Sequence, residues 1–85
     1  MMRIKIRLTP SWWAEGAPEQ VGRAVWIARD EFRGFNPEAQ VTSTSLHVAM
    51  DLPDDTTVGA VVKWRGLARR RIEGINAGSA AAVIS

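Results

Sequence analysis

Residues 41–52 read Val-Thr-Ser-Thr-Ser-Leu-His-Val-Ala-Met-Asp-Leu, and the number of strands they hold decides the fold. Thr44, Leu46, Val48, Met50 and Leu52 fall on one face, while Ser43, Ser45, His47 and Ala49 fall on the other, the period of a half-buried strand. No Gly or Asn-Gly interrupts the run, so the pattern predicts one continuous strand rather than a hairpin. Pro53 closes it, and Asp54, Asp55 or Thr56 can cap the helix downstream.

Upstream, residues 3–9 (Arg-Ile-Lys-Ile-Arg-Leu-Thr) alternate in the same way. Ile4, Ile6 and Leu8 point to one side and Arg3, Lys5 and Arg7 to the other; Pro10 ends the strand. Residues 10–17 form a loop with adjacent tryptophans, Trp12 and Trp13. Pro18 suits a first helical position, with Glu19 in the first turn. Val21, Ala24, Val25, Ala28 and Phe32 recur at spacings of three and four, predicting a helix over about 18–33 with Gly34 beyond its end. Phe35 is placed to fold back against that stripe, and Asn36-Pro37 marks a turn.

Downstream, Val58, Val61, Trp64, Ala68, Ile72 and Ile75 share roughly a third of a helix circumference, predicting a second core-facing helix over about 56–73. Gly74, Asn76 and Gly78 read as stop signals. Residues 80–85 read as a short strand or a frayed tail. The order β-α-β-α-(β) is an α/β arrangement, with α+β as the alternative. It is a small two-layer sandwich with both helices on one face of a two- or three-stranded sheet. Right-handed crossovers make the first two strands parallel, whether neighbours or separated by the third, which leaves an uncovered polar face that is unusual for parallel strands.

The 85 residues make one domain. A chain this short buries roughly 60% of its unfolded surface and commonly needs a staple, a metal or a second subunit. The sequence has no cysteine and one histidine, which excludes disulfides, thiolate metal sites and multi-histidine sites. No apolar run is long enough for a membrane span and no secretory leader pattern is present, so the expected location is cytoplasmic. Nine of the eleven basic residues are arginine, against nine acidic residues. Arginine suits carboxylate and phosphate recognition. Twelve alanines beside nine arginines equally fit a GC-rich genome, that of a bacterium or its phage.

Trp26 lies about 140° around the first helix from Val21, opposite the apolar stripe. Arg23, Arg29, Asp30 and Arg33 ring it, as a polar rim surrounds an interface anchor; cation–π packing on its own arginines is the plainer account. Trp12 and Trp13 can serve a partner or plug the end of the core. Side chains of adjacent residues in an extended chain point apart, so one of them is expected outside. The polar sheet face, with Arg3, Lys5 and Arg7, can track phosphates or simply keep a strand edge soluble. Lys63, Arg69 and Arg70 make the second helix basic, though cations near a helix end also favour its dipole. The cluster Asp51, Asp54 and Asp55 lacks the ligand spacing of a calcium loop and reads as a turn and cap.

His47 with Ser43 or Ser45 is the one base–hydroxyl set that strand spacing permits, and an open sheet face offers no oxyanion pocket. No catalytic or phosphate-cradling motif accompanies it. The expectation is therefore a non-enzymatic protein-binding module, an adaptor, inhibitor or accessory protein, without cofactor or metal. It binds another protein or a second copy of itself through Trp26, Arg23, Arg29 and Arg33, with Trp12 or Trp13 assisting. The alternatives are nucleic-acid binding through Arg3, Lys5, Arg7, Lys63, Arg69 and Arg70, and a structural subunit of a larger assembly.

Overall fold

The computed structural model describes the backbone of residues 1–84 and the side chains of residues 1–75. Its elements are β1 (Met2–Leu8), a 3-10 turn at Trp13–Glu15, α1 (Pro18–Glu31), β2 (Glu38–Val41), β3 (Leu46–Leu52) and α2 (Val58–Ile84). The sheet order is β1-β3-β2, and β3 pairs antiparallel with both neighbours. The architecture is thus α+β, with two helices on a three-stranded antiparallel sheet.

The stretch 41–52 is two strand segments and a turn, not one strand. β2 ends at Val41 and pairs with Leu46, leaving four residues to reverse the chain. Thr42 supplies the turn chemistry that Gly or Asn would otherwise bring. Its amide donates to the Ser45 carbonyl at 2.9 Å, and its Oγ1 accepts from the amides of Thr44 (3.3 Å) and Ser45 (3.1 Å). A hydroxyl that bonds the local backbone in this way closes a turn without positive φ. Thr44 and Ser43 therefore belong to the turn rather than to either sheet face.

This split changes the strand directions. β3 runs against β1, so residues 46–52 are not parallel to the first strand as expected; β2 does run parallel to β1, separated from it by β3. An antiparallel sheet tolerates water on one face, so the uncovered polar face needs no special cover. The third strand is residues 38–41, not the tail. The expectation for 80–85 falls where no side chain is described: the backbone through Ile84 belongs to α2, and Ser85 lies outside the described residues. Gly74 does not stop the helix. An interior glycine costs only about 1 kcal/mol relative to alanine, which packing elsewhere on the helix offsets.

Ile6, Leu8, Leu46, Val48, Met50 and Leu52 form the covered face of the sheet. They join Ala24, Ile27, Ala28 and Phe32 of the α1 segment and Ala68, Ile72 and Ile75 of α2 in one core. Val21, Val25, Val61 and Trp64 sit partly buried at its margin. Val58 departs from the expected stripe and is 81% exposed. It stands on the same flank as Val62, one turn on, which is exposed as well.

The helix starts are fixed by polar groups near each end. Gln20 Oε1 accepts the Ala17 amide at 2.9 Å at the start of α1. At α2 the cap is Thr57, whose Oγ1 accepts the Ala60 amide at 3.1 Å, rather than Asp54, Asp55 or Thr56. Between α1 and β2, Gly34 (φ 93°) and Asn36 (φ 52°) take the left-handed backbone that the tight reversal needs. The reversal folds Phe35 inward, where its ring lies 5.3 Å from Trp64.

Both loop tryptophans are inside, each 6% exposed. The expectation that one would remain outside assumed extended chain. The 3-10 turn beginning at Trp13 instead swings the second indole back, and the two ring centroids are 5.7 Å apart at 37°. Trp12 Nε1 donates to the Ile72 carbonyl at 3.2 Å, which ties the loop to α2. Ser11 reinforces the tie, its amide and hydroxyl both donating to the Glu73 carboxylate at 2.8 Å.

Candidate functional site

With the tryptophan loop in the core, three surfaces retain exposed functional groups: the outer sheet face, the outer side of α1, and the flank of α2 beside β1.

On the outer sheet face the register sets Arg3 beside Asp51 and Lys5 beside Ala49. Arg3 bonds Asp51 Oδ1 at 2.9 Å and Glu38 Oε2 at 3.1 Å. Its positive charge is answered on the spot, which breaks the expected basic stripe. Those hydrogen bonds from Arg3 raise the guanidinium's pKa. They likewise lower the pKa of Asp51 from its usual 3.8, with the Asn36 amide (3.3 Å) assisting. Lys5, Glu38, Gln40, His47 and Arg3 then line a shallow hollow of about 190 Å³ of mixed charge.

A carboxylate held below its ordinary pKa contributes stability that is present above the ordinary value and is lost as the pH falls through the lowered one. Asp51→Asn is therefore expected to be less stable than the parent at neutral pH, with the gap closing in acid as the pH falls through the lowered pKa. Urea unfolding of both proteins at neutral and acid pH checks this. A gap that persists undiminished in acid would show that the ion pair is not its source.

Ser45 and His47 do meet, Oγ to Nε2 at 2.9 Å. The serine is buried and its Oγ also lies 3.3 Å from Thr42 Oγ1, so the set knits the hairpin turn. Ser43 is exposed in the turn. Asp51 is engaged by Arg3 and Asn36.

On α1, Trp26 is 63% exposed, as its helical phase requires. It lines an open cleft of about 470 Å³ with Gly22, Val25, Arg29 and Asp30. Of the expected rim, Arg29 lines the cleft; Arg23 is exposed but lies outside the lining, and Arg33 reaches Asp30 at 3.9 Å. Gly22 and Val25 were not foreseen as part of this surface. Gly22 was legible from its place one turn before Trp26, where a missing side chain opens the surface beside the indole. Trp12 is committed to the core and to Ile72. Trp13, although buried, forms part of a cleft of about 370 Å³ with Thr9, Pro10, Ser11, Ala14, Ser43 and Thr44.

No known family model, curated protein or solved structure matches this chain. Function is therefore read from the sites themselves.

The basic run on α2 divides. Arg71 turns to α1 and binds Asp30 at 3.3 Å and Glu31, contacts that raise its pKa and hold the two helices together. Lys63 and Arg70 are exposed. Arg69 joins Arg65, Arg7 and Thr9 around a cleft of about 130 Å³. Arg65 was missed as a site residue. Its i, i+4 spacing to Arg69 was visible in the sequence, but the arrival of Arg7 from β1 was not. No helix among the described residues is long and apolar enough to cross a membrane.

Proposed function

We propose that the chain is a protein-binding module rather than an enzyme, and that the Trp26 face of α1 is its contact surface. The observation that carries this reading is an indole 63% exposed beside an open cleft, on a chain that buries its two loop tryptophans. Tryptophan exposed at the centre of a polar rim is the residue type that dominates interface energetics. The partner to try first is a second copy. Trp26 and Arg29 line the cleft together, and a two-fold interface pairs each residue of one subunit with its counterpart set on the other, so the indole and guanidinium of one patch can meet the guanidinium and indole of its copy while Asp30 stays with Arg71 and Arg33. A small core also gains most from association.

The nucleic-acid reading is less well supported, because Arg3 is neutralised by Asp51 and Glu38. A structural subunit would use the same Trp26 surface and differ only in the size of the assembly.

Light scattering across a concentration series is the test. The wild-type mass should rise towards a dimer, and Trp26→Ala should weaken association by about 2 kcal/mol, roughly thirtyfold in Kd. Monomer stability should change by no more than about 0.5 kcal/mol, as for other exposed positions. A wild-type chain monomeric throughout overturns self-association. If Trp26→Ala also retains every partner that the wild type captures, the protein-binding reading is overturned with it.

A further inference from the structure

Arg7, Arg65 and Arg69 reach one small cleft from two elements, with Thr9 completing its lining. Arg65 and Arg69 stand one turn apart on α2, where like charges repel, and the fold brings a third guanidinium to the same place. Elsewhere on the molecule converging arginines are answered: Arg3 by Asp51 and Glu38, Arg71 by Asp30 and Glu31. Among the described residues no carboxylate lies within ion-pair distance of Arg7, Arg65 or Arg69. The acidic residue one turn beyond Arg69 is Glu73, and both its oxygens accept hydrogen bonds from Ser11. Three arginines without a carboxylate partner among the described residues thus line one hollow with Thr9.

We propose that this cleft binds a phosphate monoester or free phosphate. Guanidinium forks match the terminal oxygens of a phosphoryl group, and a dianion answers more of the local charge than the single charge of a phosphodiester. The volume of about 130 Å³ is well below the roughly 300 Å³ at which whole small-molecule pockets begin. The cleft admits the phosphoryl group alone, with the rest of the ligand outside. An extended polyanion is disfavoured because the basic track does not continue: Arg3 is neutralised, and Lys63 and Arg70 do not line the cleft. This site is separate from the Trp26 face and stands or falls independently of it.

The test is calorimetric titration with inorganic phosphate and with O-phosphoserine, at constant ionic strength set by chloride. Arg65→Gln/Arg69→Gln should weaken phosphate binding by about tenfold or more, since hydrogen bonds to charged groups are among the stronger ones. Glutamine keeps helix propensity, and removing the repulsion should leave thermal stability unchanged or higher. Arg70→Gln, an exposed arginine outside the cleft, should bind as the wild type does. Equal binding of both probes assigns the site to monoesters in general; binding of inorganic phosphate alone assigns it to the free ion. Phosphate heat no greater than that of matched chloride overturns the proposal, as does equal loss in Arg70→Gln. A single-stranded oligonucleotide that binds more tightly than phosphate through Arg65 and Arg69, with steep salt dependence, would replace it with a nucleic-acid site.

Discussion

Trp12→Ala should destabilise the fold by about 3–5 kcal/mol, the range for removing a buried aromatic. The indole is buried, stacks obliquely on Trp13 and donates to the Ile72 carbonyl at 3.2 Å. It is also closely overlaid by the chain. A Cβ placed on Gly16 would stand 2.7 Å from the Trp12 ring, so backbone rather than water covers that side. Such a lid cannot easily collapse into the space an alanine would leave, and residual cavity volume is what raises the cost. At about 0.05–0.15 kcal/mol per residue, a domain of this size has roughly 4–13 kcal/mol in total. The variant should therefore lose a large part of its stability, read as a lower urea midpoint at an unchanged slope. Trp12→Phe should recover much of the loss, leaving about 1 kcal/mol for the missing hydrogen bond. A Trp12→Ala protein within about 0.5 kcal/mol of the parent would behave as a surface variant and would place the indole outside the core.

Phe32→Ala should be comparably damaging, about 3–5 kcal/mol. Phe32 follows the last residue of α1 and is among the largest fully buried side chains. Its backbone bonds, from its amide to Ala28 O and from the Phe35 amide to its carbonyl, survive the substitution. The loss is thus one of packing alone. For a domain of this length each kcal/mol moves Tm by about 4–8 °C, so a fall of more than about 12 °C is expected. Trp26→Ala, within α1 itself, is the internal comparison. A larger aromatic is removed there, and the monomer's Tm should hardly move. Equal losses at the two positions would contradict the helical phase that sends one ring inward and the other to water.

Much of the layered arrangement was legible because burial in a regular element follows a local period. Ile6 and Leu8 in β1, Ala24 and Ala28 in α1, and Phe32 at the end of α1 are buried as their spacing requires, and Trp26 is exposed for the same reason. The alternation Leu46, Val48, Met50 and Leu52 was read correctly, but its extension back through Thr44 was not. Alternation continues formally across a turn, and a threonine hydroxyl closing a reversal leaves no composition signal comparable to glycine or asparagine. The site was less legible than the core. Charges were visible as a count and as helix faces, yet whether an arginine is free depends on carboxylates that arrive from elsewhere in the chain. Arg3 and Arg71 proved occupied, while Arg7, Arg65 and Arg69 came together with no carboxylate in ion-pair distance among the described residues.

Sequence alone therefore determined the amphipathic elements, the absence of disulfide chemistry and the outward indole of α1, each a property of residue type and spacing within one segment. Tertiary structure alone decided the antiparallel sheet order, the burial of both loop tryptophans and the meeting of β1 with the α2 arginines. Those depend on pairings between distant segments, whose geometry is set when the helices close over the sheet and not by any local period.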